Sequence, residues 1–436
     1  MARAQGARAQ MALAFETVYG TPPISGFTKM PFASTTLGSE QPLLNSELLG
    51  YGRDPLAPIK DAVTADGNVV LPIDAAILSA QAGEQRIALR PRPREIITLQ
   101  HRCDALGMAR AAELTRAGFA GDWRVPLWHM ALQPTADLAQ GATEILLDTT
   151  VSDLRAAGFA VLAIDGRDAV LVEIATVAAD RIVLAEPLGT QLPTLSVAAE
   201  RIAVAPVRQG VLASAIEITR LRQSDGMVTA TFLLRDAADL SASVLPTYLG
   251  RPVQTNPSIM RSPITANFRR AVEYVNNGFG PVVVEPLRDV FERGEAITLK
   301  AQGAPARWAQ RRWLWSLRGR QSSFWLPTWG CELQLRAAMT SGSTLMRVAP
   351  VAALAGYVGR PILLEMPGAL RFRTITAAVA DGIDHRLTIS SNLGEPVPLG
   401  IKVHFMTLVR SDADRVEIRH GAVASEVTLP VVEVAR

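Results

Sequence analysis

The chain has only two cysteines, Cys103 and Cys331. That is too few for a disulfide scaffold or a zinc cluster. The five histidines, His101, His129, His385, His404 and His420, show no metal-ligand spacing. There is no Gly-x-Ser-x-Gly elbow, no Walker loop, no Gly-x-Gly-x-x-Gly and no His-Glu-x-x-His. Cys331 follows Gly330 but has no basic partner in its neighbourhood, which leaves it a structural thiol. Asp381-Gly382-Ile383-Asp384 departs from the calcium-loop pattern and is expected to be a turn. No catalytic, cofactor-binding or metal residue is therefore expected, and the chain is not expected to be an enzyme. A run of about 18 apolar residues, enough to span a bilayer, is also missing. The apolar stretch Met11–Phe15 is too short for a signal sequence and Glu16 ends it. This predicts a soluble chain made in the cytoplasm. An excess of charge of one sign is absent too: 44 Lys and Arg face 41 Asp and Glu, so net charge makes no case for nucleic acid as a partner.

What is present is a chain built to fold. Of its 436 residues 48% are hydrophobic and 19% charged, outside the range of disordered chains. The length predicts roughly two to four domains. Its organising feature is a repeated landmark. Val125-Pro126-Leu127-Trp128 returns, stronger, as Phe324-Trp325-Leu326-Pro327-Thr328-Trp329. Pro126 and Pro327 stand 201 residues apart, as do Trp128 and Trp329, Gly141 and Gly342, and Gly158 and Gly359. One offset shared by four pairs predicts a duplicated domain.

The local signals fit that division. In the first copy, Gln85–Arg90 and Arg94–Gln100 alternate as half-buried strands do, and Cys103–Ala117 is a helix candidate closed by Gly118. Strands follow at Thr143–Leu147, Phe159–Ile164, Val170–Val177 and Arg181–Leu184, with turns expected at Asp165-Gly166 and Ala179-Asp180. Ile216–Leu221 and Met227–Leu234, around Ser224-Asp225-Gly226, give the best hairpin signal. The second copy repeats the order: a strand at Ala296–Leu299, a helix at Ala306–Leu317 ended by Gly319, then strands at Thr344–Val348, Pro361–Met366, Phe372–Ala377 and Arg386–Ile389. A last hairpin pairs Val416–Ile418 with Glu426–Leu429. Short strands with turns every 8–12 residues predict a mainly β fold. The expectation is two tandem repeats of an antiparallel β-sandwich or barrel domain, at 80–236 and 285–436, each with one short α-helix. Residues 237–284 would connect them. Residues 1–75, rich in Gly, Pro, Ser and Thr, read as an extended N-terminal arm with a hairpin over Asp61–Pro72. Such a hairpin is marginal alone and needs a partner surface, in its own chain or in another.

Five of the seven tryptophans, Trp308, Trp313, Trp315, Trp325 and Trp329, fall within about 22 residues, among Arg307, Arg311, Arg312, Arg318 and Arg320. Ala309, Trp313 and Leu317 lie one turn apart and would form a buried stripe. Alternatively, tryptophans and arginines together make a recognition surface, for protein or sugar. Trp308, Arg311, Arg312, Trp315, Arg318 and Arg320 are the candidate interface residues.

Two resemblances converge. Gly38-Ser39-Glu40-Gln41-Pro42-Leu43, Leu48-Leu49-Gly50 and Gly52-Arg53-Asp54-Pro55, followed by the hairpin, resemble the start of bacteriophage tail tube proteins over about the first 75 residues. Glu84–Arg94, Arg318-Gly319-Arg320-Gln321, Phe324–Trp329 and the ending Val427–Val434 resemble minor tail and distal tail proteins of phages and prophages over about residues 75–436. The resemblance implies a structural protein of the virion tail, assembled in the host cytoplasm. Its implied partners are other tail proteins and further copies of itself in a ring. DNA contact is implied only if a face lines the tail lumen. A receptor- or carbohydrate-binding module of the tail tip is the alternative.

Overall fold

The computed structural model describes residues 93–118, 122–164, 168–189, 194–197, 202–213, 216–223, 225–235, 243–257, 259, 264–275, 283–421 and 424–434, together with backbone strands before residue 87. Those early strands are β1 (Thr17–Val18), β2 (Lys29–Ser34), β3 (Asn45–Gly50), β4 (Ala62–Val63), β5 (Val69–Val70), β6 (Ile77–Ala80) and β7 (Gly83–Arg86). There follow β8 (Arg94–Asp104), helix α1 (Ala105–Gly118), β9 (Asp122–Pro126), β10 (Glu144–Leu146), β11 (Phe159–Ile164), β12 (Asp168–Ala178), β13 (Arg181–Leu184), β14 (Ile202–Leu212), β15 (Glu217–Arg222) and β16 (Asp225–Leu234). A small hairpin, β17 (Thr247–Tyr248) and β18 (Arg251–Pro252), precedes the long strands β19 (Ala266–Val275) and β20 (Val283–Gln302). Then come α2 (Gly303–Leu317), β21 (Ser323–Pro327), β22 (Leu345–Val348), β23 (Pro361–Met366), β24 (Ala369–Asp381), β25 (Asp384–Ile389), β26 (Val403–Ser411), β27 (Arg415–His420) and β28 (Ala424–Glu433).

The fold is mainly β, with antiparallel sheets forming sandwich-like domains. The pairings recur along the chain. β14 is the hub of the first set and pairs with β9, β11 and β16, while β11, β12, β13 and β10 follow one another. β26 is the hub of the second and pairs with β21, β23 and β28, while β23, β24, β25 and β22 follow in the same order. β15 pairs with β16 as β27 pairs with β28. The expected turn at Asp165-Gly166 and the residue Ser224 lie outside the described residues, as do the Gly38–Leu43 and Gly52–Pro55 motifs.

The chain divides into two compact units that do not follow its linear order. The first holds residues 1–242, 300–319 and 414–428. The second holds 243–299, 320–413 and 429–436. Helix α2 and the β27–β28 turn, read from sequence as parts of the second copy, thus complete the first unit. β19 and most of β20 form a hairpin in the second unit, over residues read as a connection and a short strand.

Unit 1 is closed around Ile145, Leu162, Ile164, Ile174, Ile182 and Val204, all fully buried. Complete burial of such side chains contributes about 1.5–3 kcal/mol each. Unit 2 has its own core, with Met346, Tyr357, Ile362, Leu364, Ile375, Leu387 and Val403. The hydroxyl of Tyr357 accepts from the backbone N–H of Val351 at 2.7 Å and of Ala352 at 3.0 Å, so its polar end is satisfied inside the core.

Residues before 93 enter unit 1 as strands. β1 pairs with β9, β2 with β12, and β3 lies between β8 and β27, paired to both. β4 and β5 pair antiparallel, Ala62 with Val70 and Val63 with Val69, as a hairpin over Asp61–Pro72 requires.

Candidate functional site

Helix α2 carries the arginine and tryptophan cluster, all within unit 1 as far as Gly319. Pro305 stands in its first turn, where a missing N–H costs nothing. At the other end Arg318 adopts a left-handed conformation, φ 50°, and its N–H bonds the carbonyl of Trp315 at 3.2 Å. Gly319 continues the left-handed turn with φ 65°. Gln302 supplies no side-chain cap, so packing holds this helix more than capping does.

The packing is centred on Arg311. Its guanidinium is buried with the Glu95 carboxylate of β8, 2.9 Å away, side-chain exposures 3% and 2%. The plane lies over Trp315, 4.9 Å from the ring centroid. Trp308 meets Trp315 edge-on, centroids 5.7 Å apart. Another Arg311 nitrogen is 3.3 Å from Nε2 of His129. The imidazole of His129 stacks on that of His420 at 3.9 Å, and Arg307 donates to the carbonyls of His129 and Gly421 at 3.3 Å each. Burial, then the neighbouring His420, Arg311 and Arg307, hold His129 well below the usual imidazole range, so it is neutral at pH 7. Burial also lowers Arg307. The space left among His129, Trp308, Arg311 and His420 is about 10 Å³, room for a single water and no ligand.

The candidate interface residues therefore separate. Trp308, Arg311 and Trp315 are buried inside unit 1, Arg312 is half-buried, and Arg318 is exposed. Arg320, half-buried, belongs to unit 2, where it donates twice to the carbonyl of Asp412, at 2.7 and 3.0 Å. Trp313 and Leu317 of the expected stripe are buried and Ala309 is half-buried. Glu95, His129 and His420 were not singled out by sequence. They lie 216, 182 and 109 positions from Arg311, and no local pattern reports such pairings.

A second buried charge cluster lies in unit 1. Arg208 of β14 binds Asp153, which Arg155 also holds at 3.0 Å. Among the described residues no three His, Cys, Asp or Glu side chains gather as metal ligands, and no helix is long and apolar enough to cross a membrane.

A family model described as phage tail tube protein matches residues 6–85. The match supports a structural protein of a phage tail. No curated protein matches the chain. The matched tube-like segment contains β1, β2 and β3, the strands that pair into unit 1. Tube-like sequence and the α2 packing thus belong to one folded body, since β3 joins β8, the strand that carries Glu95, to β27, which carries His420.

Proposed function

We propose that the chain is a structural subunit of the tail of a phage or phage-like particle, a minor tail or tail-tip protein that works by protein–protein assembly and catalyses no reaction. The observation that carries this is the tail tube match over residues 6–85, in a segment woven into the sheet of unit 1. The recurring pairings support a second element of the proposal, a duplicated module. Two similar β-rich bodies in one chain offer two similar surfaces, so three chains can imitate a sixfold ring with head-to-tail contacts. Other tail proteins would be its partners, the virion tail its location, and DNA a contact only for a surface that faces the lumen. A sugar- or receptor-binding tip module needs displayed aromatic rings. Six of the seven tryptophans are buried and Trp128 is half-buried, so the tryptophan cluster does not support it, although Phe268 and Tyr274 on β19 are exposed.

The test is peptide mass spectrometry of purified particles from an induced lysate. Peptides from 1–75 and from 80–436 at equal abundance are expected. Absence from intact particles, with the protein abundant in the lysate, removes the structural role.

A further inference from the structure

The contact between α2 and the first copy is made once inside unit 1. On the first copy its seat is the 3₁₀ turn Trp128–Met130 and the 3₁₀ turn Thr149–Val151, which Ser152 and Asp153 follow. His129, Met130, Thr149, Ser152 and Asp153 are all buried there. From the helix, Arg307, Trp308, Gln310 and Arg311 line the contact, the last three buried.

The offset of 201 locates the same two surfaces a second time. Two hundred and one residues after the seat stand Gly330, Cys331, Pro350, Ala353 and Leu354, in unit 2. Gly330, Pro350 and Ala353 are exposed, and Cys331 and Leu354 are half-buried. Beside them Val351 is 48% and Val358 50% exposed. Two hundred and one residues before the α2 contact stand Leu106, Gly107, Ala109 and Arg110, on α1. Leu106 is 47% exposed, Ala109 and Arg110 are exposed, and Gly107 is half-buried. The opposite side of α1 is already used: Met108 and Ala111 are buried, and Met108 lies near Gly226 of β16. Each position that is covered in the internal contact is thus more open at its counterpart, on both the helix and the seat. Apart from Arg110, the open surfaces are apolar, which is what a covered interface requires.

We propose that α1 of one chain docks, through Leu106, Ala109 and Arg110, onto the Gly330–Cys331 and Val351–Leu354 surface of unit 2 in a second copy of this chain. The occupant is a second copy because one chain carries both halves and already joins their counterparts. At three of these positions the residue is smaller than in the internal contact: Gly107 stands for Trp308, Ala109 for Gln310 and Gly330 for His129, while Leu354 is larger than Asp153. At those three the helix therefore approaches its seat more closely. The contact is heterologous, so it propagates from chain to chain and closes when the rotation permits. This rests on the assembly role proposed above and names the surfaces that perform it.

Cys331 lies on the proposed seat, and the other cysteine, Cys103, is buried with its thiol pushed up to about 12 by burial, then by Asp104 and Asp225. The full-length chain carrying Ala109→Cys is concentrated, treated with a mild oxidant and run without reductant. A ladder of linked chains is expected, lost when Cys331→Ser is added. Ala185→Cys, exposed in unit 1 just after β13 and part of neither α1 nor the seat, is expected to give no ladder. Leu106→Glu, with unchanged circular dichroism, is expected to abolish self-association in sedimentation. A chain that stays monomeric at its highest soluble concentration with no ladder overturns the proposal. So does a disulfide formed within one chain. Mass spectrometry of particles separates the two failures, since a virion protein without the ladder keeps its tail role and loses only this contact.

Discussion

At the scale of single residues, the most exacting feature is the Arg311–Glu95 pair. Its charges are out of water, and each depends on the other and on the ring of Trp315. Removing one partner strips a buried charge of its direct ion pair, so Arg311→Ala or Glu95→Gln should cost about 3–5 kcal/mol in denaturant unfolding. The double replacement Arg311→Met with Glu95→Leu should recover part of that loss, because neither charge then remains. Histidines give a second expectation. His101 is lowered to about 4 by burial. Its proton therefore prefers the unfolded chain between pH 6.5 and about 4. Stability should be intact above pH 6.5 and fall by about 1.4 kcal/mol per pH unit below it, about 3 kcal/mol in all from this residue. His129, shifted the same way, adds to the loss. Thermal melts from pH 7 to pH 4, with His101→Gln flattening the slope, check this.

At the scale of elements, helix α1 and the β15–β16 hairpin are fitted to one another at Gly226. A Cβ there would lie 2.3 Å from Sδ of Met108 and 2.7 Å from the carbonyl oxygen of Thr219. Gly226→Ala should cost about 1–3 kcal/mol by overpacking. Met108→Ala should relieve the sulfur clash and leave the carbonyl one, so the paired variants should show partial recovery in chemical denaturation. The sequence marked this glycine as part of a turn, and its signal was real, but the structure places it in β16 beneath α1. The same mixture runs through the fold. β11, β13 and β23 have the limits their sequences imply, because β-branched and apolar runs there end at turn residues. β14 and β26 escaped notice although they are the hubs. Ile202 to Arg208 is buried at seven consecutive positions, so it has no in-and-out alternation, and Pro206 sits within it. For α2, the helix and the burial of Trp313 and Leu317 were legible from spacing, whereas Trp308 and Trp315, named as interface candidates, are buried as well. Its binding of Glu95 and His129 was not, because long-range ion pairs leave no trace in local pattern.

At the scale of the whole molecule, the tube-like segment closes a sheet. β3 satisfies β8 on one side and β27 on the other. Deleting residues 1–75 removes it and leaves two strand edges unpaired. Such edges template association. The truncated chain should aggregate or elute in the void volume on gel filtration, whereas deletion of the 62–70 hairpin alone should leave a soluble chain.

The interleaved order of the units also bears on how the protein is made. Unit 1 needs residues 300–319 and 414–428. On the ribosome, domains ordinarily fold from the N-terminal end as they emerge. Here the first unit must wait, with its α2 seat and the free edge of β3 uncovered, until translation has passed residue 428. A prematurely terminated product lacks that closing piece, so cellular proteases should clear it before it can enter and poison an assembly line that counts on every subunit.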